Sequence, residues 1–148
     1  MCPMDDLAAR GGAVLKAGLS GALSTHSAEK PGYPFASMAL YALDEAGRPL
    51  FLLSGLAVHA RNLAVDPRSS LMVAEGDSQA SARVTVVGKA VKLSGAEAEA
   101  ARAAYLARHP TAKAWASFGD FSLWRLEPED SYVVAGFGSA GWTGRNAP

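Results

Sequence analysis

Residues 35–53 read FASMALYALDEAGRPLFLL, and their pattern decides the fold class. Phe35 to Leu43 is apolar almost throughout, Asp44-Glu45-Ala46-Gly47 supplies turn chemistry, and Pro49 to Leu53 is apolar again. Two short apolar runs around a polar, Gly-containing break fit two strands joined by a turn. The stretch predicts a β-hairpin.

Toward the N-terminus, Gly21 to Ser27 reads as a strand, and Pro31-Gly32-Tyr33-Pro34 as a turn or extended loop. Leu7, Ala8, Val14 and Leu15 recur at helical spacing, with Asp5 and Asp6 suited to a helix start, so Asp5 to Ala17 predicts a short helix weakened by Gly11 and Gly12. Toward the C-terminus, Ala57 to Val65 predicts a connecting helix that Asp66-Pro67 ends. Ser70 to Glu75 and Ala82 to Leu93 predict antiparallel strands, the second bending at Gly88.

Ser94 with Glu97 has the form of a capping box, and the Ala-rich run from Ala96 to Arg108 predicts a helix stopped by His109-Pro110. Ala112 to Phe118 suits another short helix, Phe121 to Leu126 and Tyr132 to Ala135 two strands, and the tail from Gly136 a Gly-rich loop. Six or seven clustered strands against four helices predict an α+β fold built on an antiparallel barrel, in one domain without internal repeats.

Composition narrows the function. Of 148 residues, 49% are hydrophobic and 19% charged, which fits a globular chain. Fourteen basic and fourteen acidic side chains cancel, which argues against nucleic-acid and polybasic membrane partners. No apolar stretch reaches the roughly 20 residues of a membrane span. Cys2, the single cysteine, cannot form an intrachain disulfide, and the first residues lack signal-peptide character, so the expected location is cytoplasmic. No catalytic elbow, phosphate loop or dinucleotide fingerprint is present. The histidines lack metal-ligand spacing; His109 stays a candidate haem ligand, and Trp115, Phe118, Phe121 and Trp124 are assigned to core packing.

The segment Ser54-Gly55-Leu56-Ala57-Val58-His59-Ala60-Arg61-Asn62 carries the chemistry. A strand ends in a small polar residue and a helix begins with free N–H groups and a guanidinium close by, which is the composition of a phosphate site. On spacing alone the favoured reading is the plainer one, a solvated helix face with Ser54 as a simple cap.

Gly32-Tyr33-Pro34-Phe35-Ala36-Ser37, Leu52-Leu53-Ser54, His59-Ala60-Arg61-Asn62-Leu63, Asp66-Pro67-Arg68 and Ala82-Arg83-Val84-Thr85-Val86-Val87-Gly88 occur in that order. Arg108-His109-Pro110, Phe118-Gly119-Asp120-Phe121 and Gly136-Phe137-Gly138-Ser139-Ala140 follow. In this order, from about Ala13 to Trp142, the chain resembles the pyridoxamine 5'-phosphate oxidase-like FMN-binding split-barrel superfamily, in its haem-utilisation branch. The resemblance implies a split β-barrel, a homodimer and FMN in the groove between subunits. It implies His59 and Arg61 at the phosphate, Ser37 and Ser54 as hydroxyl donors, and Asn62 orienting the loop. Arg83 takes the position of a polar side chain near the flavin ring, with a surface ion pair as the alternative. Trp142, beside a Gly-rich loop, is a candidate to stack on a flat ring or close the dimer groove, with plain packing of the terminus as the alternative.

The tail Gly141-Trp142-Thr143-Gly144-Arg145-Asn146-Ala147-Pro148 lacks the histidine with which true pyridoxamine phosphate oxidases grip substrate, which argues against that vitamin as substrate. The implied activity is an FMN-dependent oxidoreductase acting on a small molecule. The alternatives are a haem-binding protein on the same dimeric barrel and a non-catalytic flavin module.

Overall fold

A computed structural model of the chain describes residues 3–136 and 138–144; Cys2, Phe137 and residues 145–148 lie outside the described residues. The elements run α1 Pro3–Ala17, β1 Ser20–His26, β2 Pro34–Leu40, β3 Ala42–Leu43, β4 Pro49–Ser54, α2 Val58–Val65, β5 Arg68–Ala74, β6 Arg83–Lys92 and α3 Gly95–Arg108. A 3-10 turn Pro110–Ala114, β7 Phe121–Gly136 and β8 Ser139–Trp142 complete them. The strands pair antiparallel in the order β2-β1-β5-β6-β7-β4-β3, with β8 added on β7. This is the α+β split barrel with flanking helices that the pattern and the resemblance predict.

The core explains the strand composition. Leu23, Leu71, Val84, Val86, Leu126 and Val133 alternate with outward residues and meet α1 and α2 on the inner face. On β4, Phe51 and Leu53 enter that core, while Leu50 and Leu52 enter a second one beneath Ala101 and Tyr105 of α3. A strand buried on both faces reads as a continuous apolar run, which is why Pro49 to Leu53 shows no alternation. Gly11 lets α1 approach the sheet, because a Cβ there would lie 2.6 Å from Val133 Cγ2.

The hairpin forms differently from the prediction. The run from Phe35 to Leu43 breaks at Tyr41: β2 pairs with β1, and only the two residues of β3 pair with β4. The break has a tertiary cause, since the Tyr41 N–H donates to Leu19 O at 3.1 Å and its hydroxyl donates to Leu15 O, both outside the hairpin.

Phe121 to Ala135 is one continuous strand rather than two, because Pro128 sits at an irregularity in the β6–β7 register. Val87 faces Asp130 and Gly88 faces Pro128, so Glu129 is an extra residue on β7. A Cβ on Gly88 would lie 2.0 Å from Glu127 O, so glycine is required at this bend. The extra residue also reverses the alternation: Leu126 is buried before it, and Ser131 and Val133 after it.

Three smaller expectations change. Ser94 precedes α3 without a side-chain cap bond, and Glu97 pairs instead with Arg125 at 3.0 Å. The helix expected over Ala112 to Phe118 is the short 3-10 turn, leaving Phe118 exposed while Trp124 is buried and Trp115 and Phe121 pack against the second core. The Gly-rich tail contributes β8. Among the described residues, no helix is long and apolar enough to cross a membrane.

Candidate functional site

The end of β4 and the start of α2 bring Ser54, His59, Arg61 and Asn62 to one end of the barrel, and β2 supplies Ser37 beside them. Ser37 Oγ lies 3.1 Å from His59 Nδ1, joining two of the residues proposed from sequence. Burial pushes the His59 pKa below its usual range, so the ring is favoured in its neutral form, able to accept the Ser37 proton.

Asn62 is 1% exposed and hydrogen-bonded through both its amide nitrogen and its amide oxygen. Its Nδ2 donates to Thr25 Oγ1 at 3.0 Å, and its Oδ1 accepts the Ala28 N–H at 3.0 Å. Thr25 in turn donates to Phe35 O. The network fastens α2 to the loop between β1 and β2.

Arg61 projects from the exposed side of α2, and among the described residues its guanidinium has no ion pair or hydrogen-bond partner. The first turn of α2 begins after Ala57, which makes no side-chain cap bond, so the N–H groups of Val58, His59 and Ala60 have no intrahelical acceptor. One free cation beside uncapped N–H groups can receive an anion.

Ser54 is differently committed. Its hydroxyl donates to Asp120 Oδ2 at 2.7 Å and accepts the Leu56 N–H at 3.2 Å, while the Gly55 N–H donates to Asp120 O at 2.6 Å. Asp120 is the site residue that sequence reasoning missed; its presence in the quoted Phe118-Gly119-Asp120-Phe121 stretch was the available signal.

Arg83 and Trp142 do not join this group. Arg83 Nη1 donates to Gln79 O at 2.8 Å and Ser81 O at 3.1 Å, tying it to the loop before its own strand. Trp142 lies on β8, which pairs with β7 rather than with β2 or β4, and meets Tyr132 edge-on at 5.3 Å.

His109, the candidate haem ligand, has one ring nitrogen committed to the fold. It is buried, its Nε2 lies 2.7 Å from Tyr41 O, and its ring packs on Tyr105 at 4.9 Å. A carbonyl only accepts, so Nε2 carries the proton and is not open to iron. Among the described residues, no three His, Cys, Asp or Glu side chains gather for a metal.

The outer face of the sheet is the other notable surface. Met38, Ala22, Met72, Thr85, Tyr132 and Trp142 stand directly opposite one another across successive strands and form one outward row. Met38 is 72% exposed and Trp142 53%, so the row places large apolar side chains in solvent. A groove of about 410 Å3 that includes His26, Arg68, Lys89 and Glu129 flanks it.

Comparison with known proteins adds the family. The CREG β-barrel family matches residues 3–146. The chain is 41% identical over 128 residues to the chloroplastic non-canonical haem oxygenase HOZ of Arabidopsis thaliana, covering 86% of this chain and 40% of that one. It is 30% identical to the haem oxygenase HutZ of Vibrio cholerae, covering 80% and 71%. A haem-binding protein from Mycobacterium smegmatis superposes with a TM-score of 0.85 at 36% identity, covering 93% of this chain and 57% of that one. A pyridoxamine 5'-phosphate oxidase-like structure from Listeria innocua, at 16% identity and TM-score 0.63, shares the fold, over 83% of this chain and 94% of that one. The chain thus spans about two fifths of the plant relative and 57% of the mycobacterial one.

Proposed function

The chain belongs to the CREG β-barrel family, and from that premise we propose that it binds haem between two copies of its split barrel and takes part in haem oxidation. The observation that carries this reading is the 41% identity to a haem oxygenase across 86% of the chain. It replaces flavin with haem as the leading cofactor.

The residues present fit such a ligand. Haem offers a flat apolar ring and a carboxylate edge. Arg61 and the uncapped N–H groups of α2 in one copy would hold the edge, and Trp142 with Tyr132 of the second copy would pack on the ring. When bound, haem would supply the redox-active iron for oxygen chemistry. The chain's own residues bind and orient the ring; Asn62 keeps the α2 end and its neighbouring loop in register.

A homodimer belongs to the same reading. The outer row is too apolar to remain solvated comfortably, and a second copy offers a matching row under two-fold symmetry. Residues 1–148 act as a single domain, and a reducing, cytoplasmic compartment fits the lone cysteine.

FMN remains the second reading on one observation: Ser37, His59 and Arg61 surround a helix start in the manner of a phosphate site. A haemin titration followed at the Soret band, with gel filtration alongside, tests the proposal. The expected result is a saturable band on a species of twice the monomer mass, lost as dimer in Thr85→Lys. A chain that stays monomeric and gives no saturable band refutes it.

A further inference from the structure

We propose that Asp120 sets which anion the start of α2 accepts, by withholding the Ser54 hydroxyl and opposing a phosphate dianion. The inference rests on the anion-binding role given to this end of the barrel under the proposed function.

A serine hydroxyl has one proton to donate, and Ser54 gives it to Asp120 Oδ2 at 2.7 Å. The same oxygen accepts the Leu56 N–H. The backbone donors of the turn are likewise spent, Gly55 on Asp120 O and Ala57 on Ser54 O. Ser54 therefore offers a phosphate nothing unless Asp120 releases it.

Asp120 also brings an unbalanced charge. Its side chain is exposed, and among the described residues no Lys, Arg or His pairs with it. Arg61 on the neighbouring helix has no partner among the described residues, so an arriving ligand meets one positive and one negative side chain. Repulsion grows with the charge gathered at one point, so a phosphate dianion suffers about twice what each of haem's two separate carboxylates does. A carboxylate needs only Arg61 and the open N–H groups of α2. The arrangement favours carboxylate-edged ligands over phosphorylated ones.

The test measures FMN affinity by fluorescence, with riboflavin as the phosphate-free control, and haemin affinity at the Soret band. It uses wild type, Asp120→Asn, Asp120→Ser and Ser54→Ala, each checked for an intact melting transition. Asp120→Asn and Asp120→Ser should bind FMN about tenfold more tightly than wild type, with riboflavin and haemin changed less than about twofold. Ser54→Ala should leave FMN affinity within about twofold, because the hydroxyl is already committed. Equal FMN affinity in wild type and both Asp120 variants overturns the proposal, as does a Ser54→Ala variant that loses FMN binding. A wild type without a saturable Soret band defeats the haem reading alone; the FMN comparison still decides Asp120.

Discussion

Two places in this molecule pair an arginine with a histidine, and they are used in opposite ways. At Arg108-His109 both side chains are tied to backbone carbonyls: Arg108 Nη2 donates to Ala17 O at 3.1 Å and Gly18 O at 3.2 Å, and His109 is bound to Tyr41 O. The Tyr41 hydroxyl then holds Leu15 O, and burial pushes its pKa up to about 12. The result is a clamp joining the C-terminal ends of α1 and α3. At His59-Ala60-Arg61 the histidine is half engaged with Ser37, and the arginine has no partner among the described residues. Satisfied polar groups build structure; unsatisfied ones at a helix start can bind.

The contrast breaks first at the clamp. His109→Ala removes a buried donor, strands the Tyr41 carbonyl and leaves a cavity, which should cost about 2–4 kcal/mol. In a chain of this size that lowers Tm by roughly 5–15 °C, with the haemin affinity of the folded fraction unchanged. Thermal unfolding with a haemin titration at low temperature checks both halves. A variant that keeps its Tm but loses haemin would make His109 a ligand after all.

Arg61→Ala should do the reverse. Its loss should weaken binding of an anionic ligand about tenfold, close to 1.4 kcal/mol, because a charge-assisted contact goes. Its Tm should move by less than about 2 °C, as an exposed side chain without partners contributes little to stability. Unchanged affinity would remove Arg61 from the site.

The comparison also shows what the sequence could reveal. Helix α3 was legible because alanine propensity needs no partner, and the bend at Gly88 because only glycine tolerates the close approach of Glu127 O. The break at Tyr41 was not, since its bonds go to Leu19 and Leu15, far from the apolar run that contains it. Strand β8 was hidden for a similar reason: Thr143 bonds Ser131 O through both its N–H and its hydroxyl, a register that β7 supplies. At the site, residue types pointed to Ser37, Ser54, His59 and Arg61, yet composition could not say that Ser54 faces a carboxylate while Arg61 faces none. Commitment of a side chain is a tertiary fact.

The smallest effect concerns His59 and pH. Its folded pKa lies below the unfolded value because burial disfavours the charged ring. As pH falls through the unfolded value of about 6.5, the unfolded chain takes up a proton before the folded one does, so stability declines. Protonation also ends acceptance at Nδ1 and turns it into a donor, leaving Ser37 to reverse its hydroxyl. His26 and His109 are present in both chains of the comparison, so the difference between wild type and His59→Gln isolates His59. Urea midpoints at about pH 7.5 and 5.5 should fall further in wild type than in His59→Gln, by an amount well below the effect of His109→Ala. An equal fall in both would mean that the ring beside Ser37 accepts its proton without cost, and that burial does not disfavour the charged form of His59.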